Sequence, residues 1–169
     1  MTRWHIAQLN VATAVAPLES PELTDFMAAL DGVNALAESS PGFVWRLKGD
    51  GGNAIELSRG VGTNPKFIVN MSVWETVEAL FEFVYRSAHT KVMVRRREWF
   101  EKPAEAFQVL WWVPAGHAPT VEEAMARLRH LRQHGATAYA FTFKERYPVP
   151  YVGGTPEDMK PEPYCVGWA

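Results

Sequence analysis

Residues 67–99 read FIVNMSVWETVEALFEFVYRSAHTKVMVRRREW, and the change of period within this stretch decides the fold. The first eight residues are β-branched or aromatic and alternate as a strand does. From residue 75 the apolar positions fall at helical spacing: Val77, Leu80, Phe81, Val84, Ala88, Val92 and Trp99. The stretch therefore predicts a strand over 67–74 and one long helix over 75–99, with Pro103 beyond its end.

Elements on the N-terminal side follow from the same logic. Residues 43–47 read as a short strand. Residues 48–65 are rich in Gly, Asn and Ser and read as a loop, with a brief strand near 54–57. Before them, Ser20 and Pro21 open a helix as N-cap and first turn. That helix carries Leu23, Phe26, Met27, Leu30 and Val33 and ends at Ser39-Ser40-Pro41-Gly42. Residues 4–11 form a first strand, with His5, Ala7, Leu9 and Val11 on one face and Trp4, Ile6, Gln8 and Asn10 on the other. On the C-terminal side lies a strand over 107–113. Thr120 and Glu123 then form a capping box for a helix ending at His134-Gly135. A last strand is expected over 138–143.

The order β-α-β-β-α-β, with a further helix and strand, is the split βαβ pattern of a ferredoxin-like α+β domain. The domain is expected to span 1–146. A proline-rich arm then spans 147–169, which holds five of the twelve prolines. The helices would cover one sheet face. The other, apolar face cannot stay in water, so a second copy of the chain is the expected cover and a homodimer the expected assembly.

Composition excludes several classes. With 169 residues, 47% of them hydrophobic and 21% charged, the chain reads as globular. A net charge of −2 gives no basic excess for nucleic acid and no polybasic run for an anionic membrane. No stretch approaches the ~20 apolar residues of a membrane span. The first residues lack the apolar run of a signal peptide, so a cytoplasmic location is expected. Cys165 is the single cysteine, which leaves no intramolecular disulfide and no thiolate metal cluster. No glycine-rich phosphate loop opens a helix, and there is no Gly-x-Ser-x-Gly elbow.

Tyr85, His89, Met93 and Arg96 fall on one stripe of the expected long helix. An imidazole on an apolar stripe needs a partner, because burial without one costs a few kcal/mol. One reading is a structural histidine satisfied by a sheet amide such as Asn70. The other is a cavity-facing acid/base or an axial iron ligand. Arg96 would pair with a carboxylate or propionate, or with a surface acid. Arg95–Arg97, beside Glu98 and Glu101, reads mainly as a solvated helix end. Gln8, Asn10, Asn70 and Ser72 lie among large apolar groups, as polar side chains do in ligand pockets. They serve equally as strand-end hydrogen bonds. Trp45, Trp111 and Trp112 would be walls, and Trp111 and Trp112 must point to opposite sheet faces.

Five strings carry a resemblance: HIAQLNV at 5–11, SPGFVWR at 40–46, NMSVWE at 70–75, FVYRSAH at 83–89 and WWVPAGH at 111–117. In this order they resemble the DUF3291 family, which is grouped with the dimeric α/β-barrel superfamily and its antibiotic-biosynthesis monooxygenases. The resemblance implies two ferredoxin-like subunits with facing sheets. It also implies a pocket between sheet and helices where an aromatic or polyketide-like substrate reacts with oxygen without a cofactor. Other members of that superfamily hold haem through a helix histidine. The segments 72–75 and 97–100, with His89 between them, also resemble spheroidene monooxygenase, which adds haem on His89 as the alternative. The expected activity is therefore that of a small-molecule, monooxygenase-like enzyme, with His89 and Arg96 as its reactive groups. Asn10, Trp45, Asn70, Tyr85, Met93 and Trp112 would contact the substrate. A non-catalytic binding protein and a purely structural role remain as rivals.

Overall fold

Alternation along the strands sorts the side chains into two unlike layers. The computed structural model describes residues 3–150. In chain order these form β1 (Trp4–Thr13), a short 3-10 turn (Pro21–Leu23), α1 (Thr24–Ser39), β2 (Phe43–Arg46), α2 (Ile55–Ser58) and β3 (Phe67–Trp74). Then come α3 (Val77–Arg86), α4 (His89–Val94), α5 (Arg96–Trp99), β4 (Gln108–Pro114) and α6 (Val121–His134). The strands make one sheet in the order β2-β3-β1-β4, with every neighbouring pair antiparallel. This is the ferredoxin-like α+β arrangement that the element order predicts.

On one face Ala7, Leu9 and Val11 of β1 lie beside Val69, Met71 and Val73 of β3, and Val109, Trp111 and Val113 of β4. Against them pack Ala124, Leu128 and Leu131, spaced along the inner face of α6. Trp111 Nε1 donates to Glu123 Oε1 at 2.9 Å and fastens strand to helix. On the other face Ile6, Trp74 and Leu110 meet Val77, Leu80 and Val84 of α3, together with Ala37 and Phe141.

The expectation that the second sheet face needs another chain loses its physical ground here. α6 and its flanking segments close that face, and its strand residues from Ala7 to Val113 are buried within a single chain.

Four local expectations are also corrected. The helix over 75–99 is three helices. Ser87 leaves helical geometry, with ψ near 180°; its Oγ donates to Phe83 O at 2.5 Å and accepts from His89 N at 3.1 Å. A hydroxyl that takes one backbone carbonyl and caps the next helix interrupts the ladder while the apolar spacing continues. Residues 54–57 contribute to α2 rather than to a strand. Over 138–143 only isolated bridges form, including Leu110 with Phe141 on the outer edge of β4. Ser20 makes no side-chain capping bond, and the chain enters α1 through the 3-10 turn that Pro21 begins.

The capping box forms by half. Thr120 Oγ1 accepts from Glu123 N at 3.1 Å, while the Glu123 carboxylate serves Trp111 and His117 instead. Of the proline-rich arm, only its start is described. Trp112 Nε1 donates to Tyr147 O, and Tyr147 Oη donates to Ala136 O. The rest of the arm, with Cys165 and Trp168, lies outside the described residues.

Candidate functional site

Between the sheet and its first layer of helices lies a half-enclosed cavity of about 160 Å³. Its floor is polar. Asn10 and Asn70 are direct cross-strand partners, as are Gln8 and Ser72, and Gln108 stands opposite Asn10 on β4. Paired residues share a face, so the strand register places all five on the cavity side. Gln8 Nε2 donates to Asn70 Oδ1 and Ser72 Oγ, both at 3.1 Å. With its amide hydrogens committed, Gln8 presents only its carbonyl oxygen as a free group. Asn70 is exposed, whereas Val69 and Met71 on either side point to the opposite face and are buried under α6.

The walls are apolar and largely aromatic. α1 contributes Phe26, Leu30 and Val33, and Trp99 and Phe100 close one end. Phe83, Val92 and Met93 line the side nearest α4.

His89 lines the cavity at the first position of α4. Its ring stacks on Phe83, with centroids 4.9 Å apart and planes 18° from parallel. Nδ1 lies 3.3 Å from the Val84 carbonyl oxygen, which can only accept, so Nδ1 carries the proton and Nε2 the lone pair. Nε2 has no hydrogen-bond partner among the described residues. Burial lowers the His89 pKa from its ordinary value, and the Val84 carbonyl opposes that shift only in part. The imidazole is therefore neutral at pH 7 and able to accept a proton.

Arg96 lines the same cavity, its guanidinium 4.1 Å from the centre of the Phe107 ring. Burial lowers its pKa from the ordinary arginine value, yet an arginine stays charged. No carboxylate pairs with it among the described residues. Its neighbour Arg95 is tied to Asp25 and Glu98, at 2.7 and 2.8 Å. Arg46, the other cavity-lining arginine, is tied to Glu38 at 2.9 Å. Within the basic run, Arg95 is thus a paired surface residue, while Arg96 is half-buried with no carboxylate partner among the described residues.

The expected site residues separate accordingly. Asn10, Asn70, His89, Met93 and Arg96 line the cavity together. Tyr85 does not: the break at Ser87 turns it away from His89, and it packs on Phe81 and Phe143. Trp45 does not either. It pairs with Val73 on the α6 face, and a bulge between Phe43 and Trp45 puts Arg46 on the cavity side instead. Trp112 shares the sheet face of Gln8 but packs on Phe141, away from the cavity. Arg46, Gln108 and the buried Asn34 of α1 were not anticipated. Asn34 carried a signal, since it is a polar residue within the apolar spacing of α1.

The Nδ1 contact of His89 would suit an iron ligand, but a porphyrin is larger than this half-open cavity of about 160 Å³ and would have to extend through its open side. Among the described residues no group of three or more His, Cys, Asp or Glu could hold a metal ion. No helix there is long and apolar enough to cross a membrane.

Fold and site together define a ferredoxin-like α+β domain with a ligand-sized cavity between its sheet and helices. The chain belongs to the DUF3291 family, described as a domain of unknown function, which matches residues 5–154. No curated protein matches the sequence. Similar solved structures include one described as an antibiotic biosynthesis monooxygenase from Nitrosomonas europaea, 11% identical with a TM-score of 0.41, over 69% of this chain and 92% of its own. SnoaB, a cofactor-independent oxygenase from Streptomyces nogalater, is 14% identical with a TM-score of 0.39, over 70% of this chain and 98% of its own. A protein of unknown function from Nitrosomonas europaea is 14% identical with a TM-score of 0.42, over 71% of this chain and 97% of its own.

Proposed function

We propose that the chain is a cofactor-free, monooxygenase-like enzyme acting on a hydroxyaromatic small molecule in this cavity. The observation that carries the reading is the His89 ring, neutral and fixed in one tautomer at the cavity wall, with no partner for Nε2 among the described residues. Nε2 takes the phenolic proton as general base. On a ring made electron-rich by a further donor substituent, the resulting phenolate reacts with dioxygen directly. At a ring carbon para to the hydroxyl, one oxygen atom is retained and the other leaves as water. A phenol with a free para position and one dioxygen thus give one quinone and one water, with all four electrons supplied by the ring. Asn10 and Asn70 orient the substrate from the floor. Arg96 holds an anionic group, while Met93 and the aromatic walls exclude water.

Pairing of two chains through the sheet is no part of this reading, since α6 already occupies that face. The test is oxygen uptake by the purified protein with a panel of one- to three-ring phenols. Uptake of one dioxygen per phenol, reduced about a hundredfold or more in His89→Gln, is the expected result. Saturable binding without uptake across the panel would make the chain a binding protein. Undiminished uptake in a folded His89→Gln protein would remove the assigned base.

A further inference from the structure

The same cavity restricts its ligand further than the reaction does. We infer that it takes a one-ring hydroxyaromatic monocarboxylate, with the carboxylate on Arg96 and the hydroxyl between His89 and the amide floor. The inference rests on the cavity being the substrate site, and three independent observations lead to it.

The first is size. The cavity encloses about 160 Å³, close to the room that one benzene ring occupies. A fused polycyclic substrate would have to leave most of its rings outside.

The second is charge. Arg96 is half-buried and has no carboxylate partner among the described residues, whereas Arg46, which also lines the cavity, and the neighbouring Arg95 are paired. A partly desolvated cation without a counter-ion is costly unless something negative arrives. Its planar fork matches a carboxylate bidentately. The cation–π contact with Phe107, 4.1 Å from the guanidinium carbon to the ring centre, helps hold the charge in place.

The third is the division of polar groups. Arg96 and His89 are two turns apart in sequence, with the break at Arg95 between α4 and α5. The Gln8 carbonyl oxygen and the amides of Asn10 and Gln108 have no side-chain partner of their own among the described residues. Cation and base therefore stand at separate places on the wall, and the uncharged floor can hold a hydroxyl. One ring with an acid at one position and a hydroxyl at another satisfies both.

Equilibrium binding measured without oxygen tests this separately from catalysis. The probes are 3-hydroxybenzoate, phenol and 1-hydroxyanthracene. Expected are a Kd for 3-hydroxybenzoate at least tenfold below that for phenol, and no saturable binding of 1-hydroxyanthracene. Arg96→Gln should raise the first Kd about tenfold, leave the second unchanged, and be partly rescued by Arg96→Lys. Ala29→Trp, which fills the cavity from α1, should abolish binding of both one-ring probes. Equal affinity for the acid in Arg96→Gln and the parent would overturn the inference, as would equal affinity for one and three rings. Failure of both one-ring probes to bind would overturn it too. Arg96-dependent binding with no oxygen uptake would keep the inference and end the oxygenase reading.

Discussion

His89 Nδ1 lies 3.3 Å from the carbonyl oxygen of Val84, across the break that Ser87 makes between α3 and α4. A continuous helix would have given that carbonyl an amide partner one turn on. The break leaves it for the imidazole, and so decides which ring nitrogen keeps the lone pair.

The first prediction concerns pH. Burial lowers the folded-state pKa of His89 below the unfolded value of about 6.5. Between the two values the unfolded chain holds a proton that the folded chain lacks. Stability is then complete above about pH 6.5 and falls as pH drops toward the folded value. His130 is shifted in the same direction, so the measurement is a difference. The melting temperature of His89→Gln should fall less between pH 7 and pH 5 than that of the parent. Parallel curves would contradict the assignment of a depressed pKa to His89.

Leu128 is fully buried between α6 and the sheet. Leu128→Ala should cost about 2–5 kcal/mol, the usual range for a truncated core leucine. Urea denaturation reads this directly. A loss below about 1 kcal/mol would mean that α6 does not seal the sheet face as described.

Gly42 has φ of +78°, and a Cβ there would lie 2.6 Å from Ala79 Cβ. Gly42→Ala should destabilise the chain by more than the roughly 1–2 kcal/mol of the backbone conformation alone. Pairing it with Ala79→Gly should recover the steric part and leave the backbone part. A double-mutant cycle by thermal unfolding separates them, and strict additivity would refute the close approach.

His5 is buried with both ring nitrogens lacking a hydrogen-bond partner among the described residues. Replacing an unsatisfied polar group by an apolar one of similar size removes a penalty of about 1–3 kcal/mol. His5→Leu should therefore raise the melting temperature, and a lowered one would reveal a partner for the imidazole.

Strand and helix periods carried most of the architecture. Each strand of the sheet has the alternation or β-branched content that predicts it, and both ends of α6 and the C-terminal end of α1 fall where their end signals require. What periodicity missed is what periodicity cannot see. Ser87 breaks the long helix while Val84, Ala88 and Val92 keep its spacing, so Tyr85 appears beside His89 and is not. The bulge in β2 exchanges Trp45 for Arg46 at the cavity, and no pattern in a four-residue strand announces it. Closure of the second sheet face by α6 is a tertiary outcome. The amphipathic spacing of α6 shows that it must cover something, but not that its target is the face left free by α1 and α3. The pairing of Asn10 with Asn70 was half legible, since alternation gave the faces and only the register gave the partners.

α4 supplies His89, Val92 and Met93 to the cavity, each only partly buried. It is a short helix of six residues, whereas the floor opposite belongs to the central strands β1 and β3. Detaching so short an element should cost far less than melting the domain. Its amides should accordingly lose protection against hydrogen exchange well before those of the strands. On the proposed function, substrate would then enter through local excursions of one short helix while the sheet beneath keeps its shape.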